Sequence, residues 1–211
     1  LEPVPESFGE PGETVTKAVE RLESKLKALL AARIIKMTLN ASASELEMEV
    51  SMNLVEQPNQ PLARTSTGRA KNNRRESGQS YSKKLPLNQL FQFQVTNREN
   101  SALYFTTLLI DSTGGLVVVF PYQWPASQES MRLEPNQTML IGDPKQLQLK
   151  AIQKGTGEAL VIASRSPLKN AAKTLAVLAN ELKRSEGPME LREPVDAIGD
   201  LLDDLRSDRG G

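Results

Sequence analysis

Residues 103–121 read LYFTTLLIDSTGGLVVVFP, and this stretch decides the fold. Two apolar runs rich in Val, Leu, Phe and Thr flank Asp111-Ser112-Thr113-Gly114-Gly115, whose two glycines suit the positive φ angles of a tight reversal. The stretch therefore predicts a β-hairpin. Because residues 116–120 are continuously apolar, the second strand should lie in the middle of a sheet with other layers on both faces.

Strand patterns continue on both sides of this hairpin. Residues 46–54 and 91–96 alternate between apolar and polar side chains, which predicts two further strands. Downstream, short apolar segments separated by turn signals recur about every 8 to 12 residues. This spacing predicts an antiparallel, immunoglobulin-like β-sandwich rather than a doubly wound sheet.

The strands are enclosed by helical patterns. A first helix of about 25 residues follows Thr14, a candidate N-cap, with large apolar residues at spacings of three and four. These residues are Val15, Val19, Leu22, Leu26, Leu29, Leu30, Ile34 and Met37. We expect this face to cover the sheet of its own domain; the alternative is contact with a neighbouring domain.

Two more helices are predicted after the strands. One starts with Ser166 as N-cap and Pro167 in the first turn and stops at Gly187-Pro188. The other opens at Pro194, and its acids Asp196, Asp200, Asp203 and Asp204 are expected on a solvated outer face. The predicted fold class is α+β, an antiparallel β-sandwich with a long N-terminal helix and two C-terminal helices packed on it.

Composition divides the chain into three parts. Residues 1–12 are rich in proline and glycine, as linkers are, and the first residue is leucine, so we expect a piece of a longer chain. We expect residues 13–184 to form the β-sandwich domain with its N-terminal helix and an exposed basic loop over 57–82, and residues 185–211 to form an acidic helix and tail. The basic cluster at residues 64–84 holds seven Lys and Arg residues against one acid, a local net charge of +6.

The cluster has three interpretations: a solvated insertion, a patch that contacts phosphates, or a protease-sensitive site after Arg74 or Arg75. Its candidate interaction residues are Arg74, Arg75, Lys83 and Lys84. Tyr122 and Trp124, between two prolines, are candidates for a sugar- or peptide-binding surface, with core packing as the alternative for Trp124.

The composition excludes several chemistries. Among 211 residues there is no cysteine and no histidine, which removes thiol chemistry, disulfides and His-based nucleophile activation. We therefore predict no catalytic, cofactor-binding or metal-binding residues. Lys plus Arg equals Asp plus Glu at 26 each, which makes nucleic acid an unlikely partner. With no signal segment and no long apolar run, we expect a cytoplasmic protein without a membrane partner.

Three segments carry a resemblance to a known family. They read ETVTKAVERLESKLKALLAARIIKMTLN (13–40), LPLNQLFQFQVTNRENSALYFTTLLIDSTGGLVVVFP (85–121) and ALVIASRSPL (159–168). The chain resembles the C-terminal domain of unknown function of bacterial, particularly cyanobacterial, caspase-like peptidases (orthocaspases), which also occurs beside some bacterial kinases. One departure is Asn88, where the resemblance leads us to expect glycine.

The resemblance implies that the peptidase residues lie in a linked catalytic domain upstream. We therefore expect a non-catalytic accessory or regulatory interaction domain of a multidomain peptidase. Its partners would be that linked domain and a further protein. The alternative is polyanion or nucleic-acid binding through residues 64–84, which would weaken steeply with salt.

Overall fold

The computed structural model describes residues 12–40, 46–67, 81–82, 84–111, 115–191 and 194–207. Within these ranges the helices are α1 (Val15–Asn40), α2 (Lys169–Glu181) and α3 (Pro194–Ser207), with a 3-10 turn at Glu129–Met131. One sheet contains β1 (Met48–Leu54), β2 (Gln57–Thr67), β3 (Tyr81–Ser82), β4 (Leu90–Asn97), β8 (Thr138–Ile141) and β9 (Leu149–Lys150). The other contains β5 (Leu103–Ile110), β6 (Leu116–Phe120), β7 (Arg132–Leu133), β10 (Glu158–Ser164) and β11 (Met189–Glu190).

The two sheets are antiparallel and pack face to face. The first has the order β3-β2-β1-β4-β8 with β9 also paired to β4, and the second has the order β10-β5-β6-β11 with β7 also paired to β5. Aromatic side chains from both sheets share one buried cluster; they are Phe91, Phe93, Phe105 and Phe120. This α+β sandwich with helices packed on it confirms the predicted fold class.

The hairpin over residues 103–121 forms as predicted. β5 and β6 pair from Ile110 opposite Leu116 to Thr107 opposite Phe120. Asp111 closes the reversal: its N–H donates to the Gly115 carbonyl at 2.9 Å, and its carboxylate accepts the Gly115 N–H at 2.8 Å. A Cβ on Gly115 would lie 2.9 Å from the Asp111 carboxylate. Close approach, rather than a positive φ, therefore explains glycine at position 115.

The second sheet is the middle layer of three. Val119 lies in the cluster between the sheets and is 1% exposed, whereas its neighbour Val118 lies in the cluster under the helices and is 0% exposed. Because successive strand residues point to opposite faces, β6 needs apolar side chains at every position. The prediction of a strand covered on both faces is confirmed.

The start of α2 differs from the prediction. Ser166 is not its N-cap; the N-cap is Leu168, which has no capping side chain. The N–H groups of Asn170 and Ala171 instead donate to the carboxylate of Asp204 on α3, at 3.1 and 2.9 Å. A neighbouring helix thus supplies the acceptor that a local serine was expected to supply.

The predicted solvated face of α3 is therefore wrong for two of its four acids. Asp204 is buried, and Asp200 accepts a hydrogen bond from the Thr174 hydroxyl of α2. Asp196 and Asp203 are exposed, as expected. The carboxylates of Asp200 and Asp204 accept hydrogen bonds from hydroxyl and N–H donors of α2. These bonds offset the cost of placing the two charges against α2.

The end of α2 also differs. The helix ends at Glu181, before the predicted stop at Gly187-Pro188. Lys183 follows in the left-handed region with φ 52°. The Arg184 N–H then donates to the Ala179 carbonyl at 2.9 Å, which is the hydrogen bond of a Schellman motif. A lysine here takes the position that usually falls to glycine.

Residues 57–82 are not a loop throughout. β2 pairs along β1, from Thr67 opposite Met48 to Gln57 opposite Leu54, with register shifts near Pro61. Its side chains are exposed or half-buried, so the predicted exposure is correct but the predicted loop is wrong. Main-chain pairing stabilises this strand, and without a buried face it needs no apolar alternation.

Asn88, the position where a glycine was expected, has φ 64°. Glycine adopts this left-handed conformation freely, and asparagine is among the few other residues that tolerate it. Asparagine is therefore compatible with the left-handed backbone of this turn.

Candidate functional site

Helix α1 presents a row of large apolar side chains to solvent. We call this row the α1 stripe; it consists of Val15, Val19, Leu22, Leu26, Leu29 and Leu30. Val15 is 81% exposed, Leu26 64% and Leu30 52%, and Leu22 is half-buried. Isolated apolar side chains are common on protein surfaces, whereas a contiguous row on one helix is a candidate interaction surface.

The opposite side of α1 anchors it to the domain. Ala28 and Ala31 are buried in the cluster that α2, α3 and the second sheet form, and α1 packs against α3. Each residue advances a helix by about 100°, so Leu26 and Leu30 each lie about 200° around the helix from Ala28. The α1 stripe therefore points away from the domain.

This arrangement overturns the expectation that the large apolar residues of α1 cover their own sheet. The outer face of the second sheet is already covered by α2 and α3. Alanines let α1 approach α3 closely, and Ile34 adds a partly buried contact to the same cluster. The helix thus has two apolar sides, of which the domain buries the one with small residues.

The first half of α1 is not buried against the rest of the domain. No side chain that the structure describes between residues 15 and 27 is buried, and burial begins at Ala28.

Thr14 acts at the N-terminus of α1 as predicted, since its hydroxyl accepts the Lys17 N–H at 3.4 Å and its carbonyl accepts the Ala18 N–H at 2.9 Å. Along the edge of the stripe, Glu23 and Lys27 form an ion pair at 3.2 Å.

The loop with Tyr122 and Trp124 separates its two aromatic residues. Trp124 is 8% exposed, lies in the core cluster and donates its indole N–H to the Gly187 carbonyl at 3.0 Å. The core interpretation of Trp124 is confirmed, so its ring is not a binding surface. Tyr122 is half-buried and donates its hydroxyl to the Gln146 side chain. Burial, and then the charge of Asp143, raise the pKa of Tyr122, which keeps the phenol protonated at neutral pH.

Tyr122 lines a shallow groove of about 510 Å³ beside the outer edge of β8. The cation of this groove, Arg132, lies 3.5 Å from Glu129 and 3.1 Å from Glu134, so two carboxylates already neutralise it. The groove offers polar and apolar surface for binding. Among the described residues that line it, no side chain has the nucleophile-and-base pairing that covalent catalysis needs.

Most of the basic cluster lies outside the described residues, including Arg74, Arg75 and Lys83; Lys84 is described and exposed. Arg64 pairs with Glu49 at 2.5 Å, and Glu49 also pairs with Arg98 at 3.0 Å. Burial raises the pKa of Glu49, but hydrogen bonds and charges of Arg98 and Arg64 outweigh it, and the net pKa is lowered. Arg64 therefore contributes little uncompensated charge to the cluster.

The described ranges contain neither a metal-binding group of side chains nor a helix suited to a membrane. No three carboxylate, histidine or cysteine side chains there are grouped so that they could hold a metal ion. No helix in these ranges combines the length and the apolar character that crossing a bilayer requires. The described part of the chain thus offers surfaces for binding, chief among them the α1 stripe.

Comparison with known proteins adds one finding. Residues 85–167 match the family model for a domain of unknown function, DUF4384. The chain therefore contains a DUF4384 domain, which spans β4 to β10 and so includes the hairpin and strands of both sheets. The match covers less than half of the 211 residues and leaves out α1, so it says nothing about the α1 stripe. No curated protein and no solved structure matches the chain.

Proposed function

We propose that this chain is a non-catalytic interaction domain of a longer, caspase-like peptidase, and that the α1 stripe is the surface through which it binds another protein. The observation that carries this proposal is the stripe itself: large apolar side chains exposed on the side of α1 that faces away from its own domain. The sandwich and helices α2 and α3 serve as the scaffold that holds the second half of α1.

The exposed apolar side chains of the stripe cost free energy in water, and a bound partner would recover part of it. Burying a valine or leucine side chain stabilises a complex by about 1.5–3 kcal/mol relative to leaving it exposed. No described side chain in residues 15–27 is buried, and isolated helices shorter than about 12–15 residues are marginal in water. A partner that covers the stripe would both bury apolar surface and stabilise this half of the helix, as helix-in-groove binding does.

The peptidase context rests on the family resemblance of residues 13–40, 85–121 and 159–168; the DUF4384 match at residues 85–167 names no activity. The absence of cysteine and histidine from the 211 residues means that a cysteine-peptidase site would have to come from a linked domain. The role of this chain would then be to bring that linked domain to its protein partner. For the polyanion alternative, the described part of the basic cluster offers Lys84 and Arg64, which are both exposed, and Arg64 is already paired with Glu49; this is weaker support than the stripe gives to protein binding.

A site-specific photo-crosslinker tests the interaction surface. It is placed at Leu26 in the full-length chain, with a second variant carrying it at Val177, an apolar residue that is 49% exposed and lies on α2 rather than α1. We expect an adduct at Leu26 whose partner mass spectrometry identifies as the linked domain, a second copy or another defined protein. An adduct yield at Leu26 no greater than at Val177 would refute the proposed surface.

A peptidase assay tests the non-catalytic part. The purified 211-residue chain is incubated with fluorogenic peptides that carry arginine or lysine before the scissile bond. We expect no turnover above buffer, because the chain lacks the residues that activate a nucleophile. Hydrolysis that survives repurification and co-elutes with the chain would show that it is an enzyme.

A further inference from the structure

We propose that the partner of the α1 stripe is a second copy of this chain, and that two α1 helices pair antiparallel through their stripes. The inference deepens the proposed function and rests on it, since it names the partner of the same surface.

The spacing of the stripe is that of a coiled-coil seam. Its first five members, Val15, Val19, Leu22, Leu26 and Leu29, follow one another at intervals of four, three, four and three residues. These intervals match the 3.5-residue period of paired helices; over 14 residues a helix of 3.6 residues per turn drifts by only about 40° from that period, so the five side chains also share one face of a single helix. At the next seam position stands Arg33, which is exposed. The seam therefore covers about two heptads and ends beside the alanines that anchor α1.

An identical helix is complementary to this seam when it runs in the opposite direction. A two-fold axis near residue 24 places Leu22 of each copy beside the partner's Leu26, and Val19 beside the partner's Leu29. In an isologous contact of this kind both copies use the same surface, and two-fold dimers are the commonest oligomers. The opposed helix dipoles also favour the antiparallel arrangement.

Charged residues lie along one edge of the stripe. Glu23 and Lys27 lie on one flank of the seam and pair with each other at 3.2 Å. In an antiparallel pair equivalent flanks meet, so about an axis near residue 24 each Glu23 comes as close along the helix to the partner's Glu23 as to the partner's Lys27. Attraction and repulsion on this flank offset each other, so the pairing rests on the apolar seam.

The anchoring of α1 leaves room for this pairing. Ala28 and Ala31 attach the helix to its own domain from the side opposite the seam. The two domains of a dimer would therefore lie on the outer sides of the helix pair and would not obstruct it. Because only about two heptads take part, we expect a weak dimer, with a dissociation constant in the micromolar range.

Sedimentation equilibrium of the 211-residue chain over about 1–500 µM tests self-association. We expect a monomer–dimer equilibrium whose dissociation constant rises at least about tenfold in Leu26→Lys, because the lysine charge would then be buried against the partner's Leu22. The matched control Val177→Lys should leave it unchanged. Circular dichroism should show both variants folded, since both positions are exposed. A monomeric parent chain over the whole range, or equal weakening by both variants, would overturn the proposal.

Single cysteine substitutions test the direction of pairing, because the chain has no cysteine of its own. The Val19→Cys and Leu29→Cys variants are mixed under oxidising conditions. Antiparallel pairing predicts mainly the mixed disulfide dimer, which joins position 19 of one variant to position 29 of the other. A dominance of the two disulfide-linked homodimers would overturn it.

The two proposals can be told apart by their failures. If the parent chain is monomeric but a crosslinker at Leu26 captures the linked domain, the second-copy inference fails and the interaction function stands. If neither contact occurs, both fail.

Discussion

Replacing Asp204 with alanine should destabilise the contact between α2 and α3. The carboxylate of Asp204 accepts the N–H groups of Asn170 at 3.1 Å and Ala171 at 2.9 Å, and the residue is 6% exposed. Asp204→Ala removes the carboxylate, so the N–H groups of Asn170 and Ala171 lose their hydrogen-bond acceptor. Ala171 is itself buried, so water cannot readily replace the lost bond there.

The size of the effect follows from these contacts. Loss of an N-cap acceptor costs about 0.5–2 kcal/mol, and hydrogen bonds to charged groups are each worth about 1.5–3 kcal/mol. The negative charge near the N-terminus of α2 adds about 0.3–1 kcal/mol. Removing the carboxylate also removes the cost of burying it, which offsets part of the loss. We expect a net loss of about 2–3 kcal/mol, or roughly 4–12 °C in Tm for a chain of this size.

Urea and thermal unfolding followed by circular dichroism measure this loss. Asp203→Ala is the matched control, because Asp203 is exposed and its ion pair with Arg206, at 3.6 Å, spans one turn of the same helix. Its removal should change the free energy of unfolding by about 0.5 kcal/mol or less. Asp204→Asn keeps one acceptor oxygen and should fall between the two.

A local measurement separates loss of the cap from general damage. Amide hydrogen exchange at Asn170 and Ala171 should accelerate in Asp204→Ala more than exchange in the strands of the first sheet. If Asp204→Ala and Asp203→Ala have the same stability within about 0.5 kcal/mol, the assignment of Asp204 as the cap of α2 is refuted.

Three further predictions concern single positions in other parts of the fold. Lys183→Gly should stabilise the chain by about 0.5 kcal/mol in urea unfolding, because glycine adopts the φ of 52° without a Cβ penalty; a loss of stability would contradict this. Gly142→Ala should lower the free energy of unfolding by at least about 1 kcal/mol, since Gly142 has φ 95° and a Cβ would lie 2.8 Å from the Phe91 carbonyl. An unchanged Tm in that variant would show that the contact relaxes. Glu49→Gln should cost about 0.5–1 kcal/mol near pH 7, and the cost should shrink as the pH falls through the folded pKa of Glu49. Burial raises the pKa of Glu49, but Arg98 and Arg64 lower it further, so the folded pKa lies below the unfolded one and the stabilisation disappears as pH falls through the folded value. A stability difference that stays constant across that pH range would contradict the assignment.

Local pattern was enough for several elements. The apolar runs around the reversal at Asp111 predicted β5 and β6, and the spacing after Thr14 predicted α1. These succeed because a strand or helix repeats its buried side at a period that the chain itself displays. The covered second strand of the hairpin was predicted in the same way, since only a two-sided environment requires continuous apolar residues.

Other features depend on partners that are distant in sequence. β2 exists because β1 offers main-chain hydrogen bonds, and its own residues show no apolar alternation. Asp204 is an acid at helical spacing like Asp203, yet one caps α2 and the other is exposed. Asp204 follows Leu201 by three residues and so lies nearer the buried side of α3 than Asp203, but the N–H groups that it caps are 34 and 33 residues away in the sequence, where no local pattern reaches.

The sequence by itself determined that α1 is a long helix with apolar residues, that residues 103–121 form a hairpin, and that no thiol or imidazole chemistry is available. Only the tertiary structure decided which side of α1 the domain uses. The sheet was already covered by α2 and α3, so the helix is held by Ala28 and Ala31 and its leucines remain exposed. The spacing of apolar residues shows that one face of α1 is apolar. Whether the domain buries that face depends on the space that α2, α3 and the second sheet leave for it.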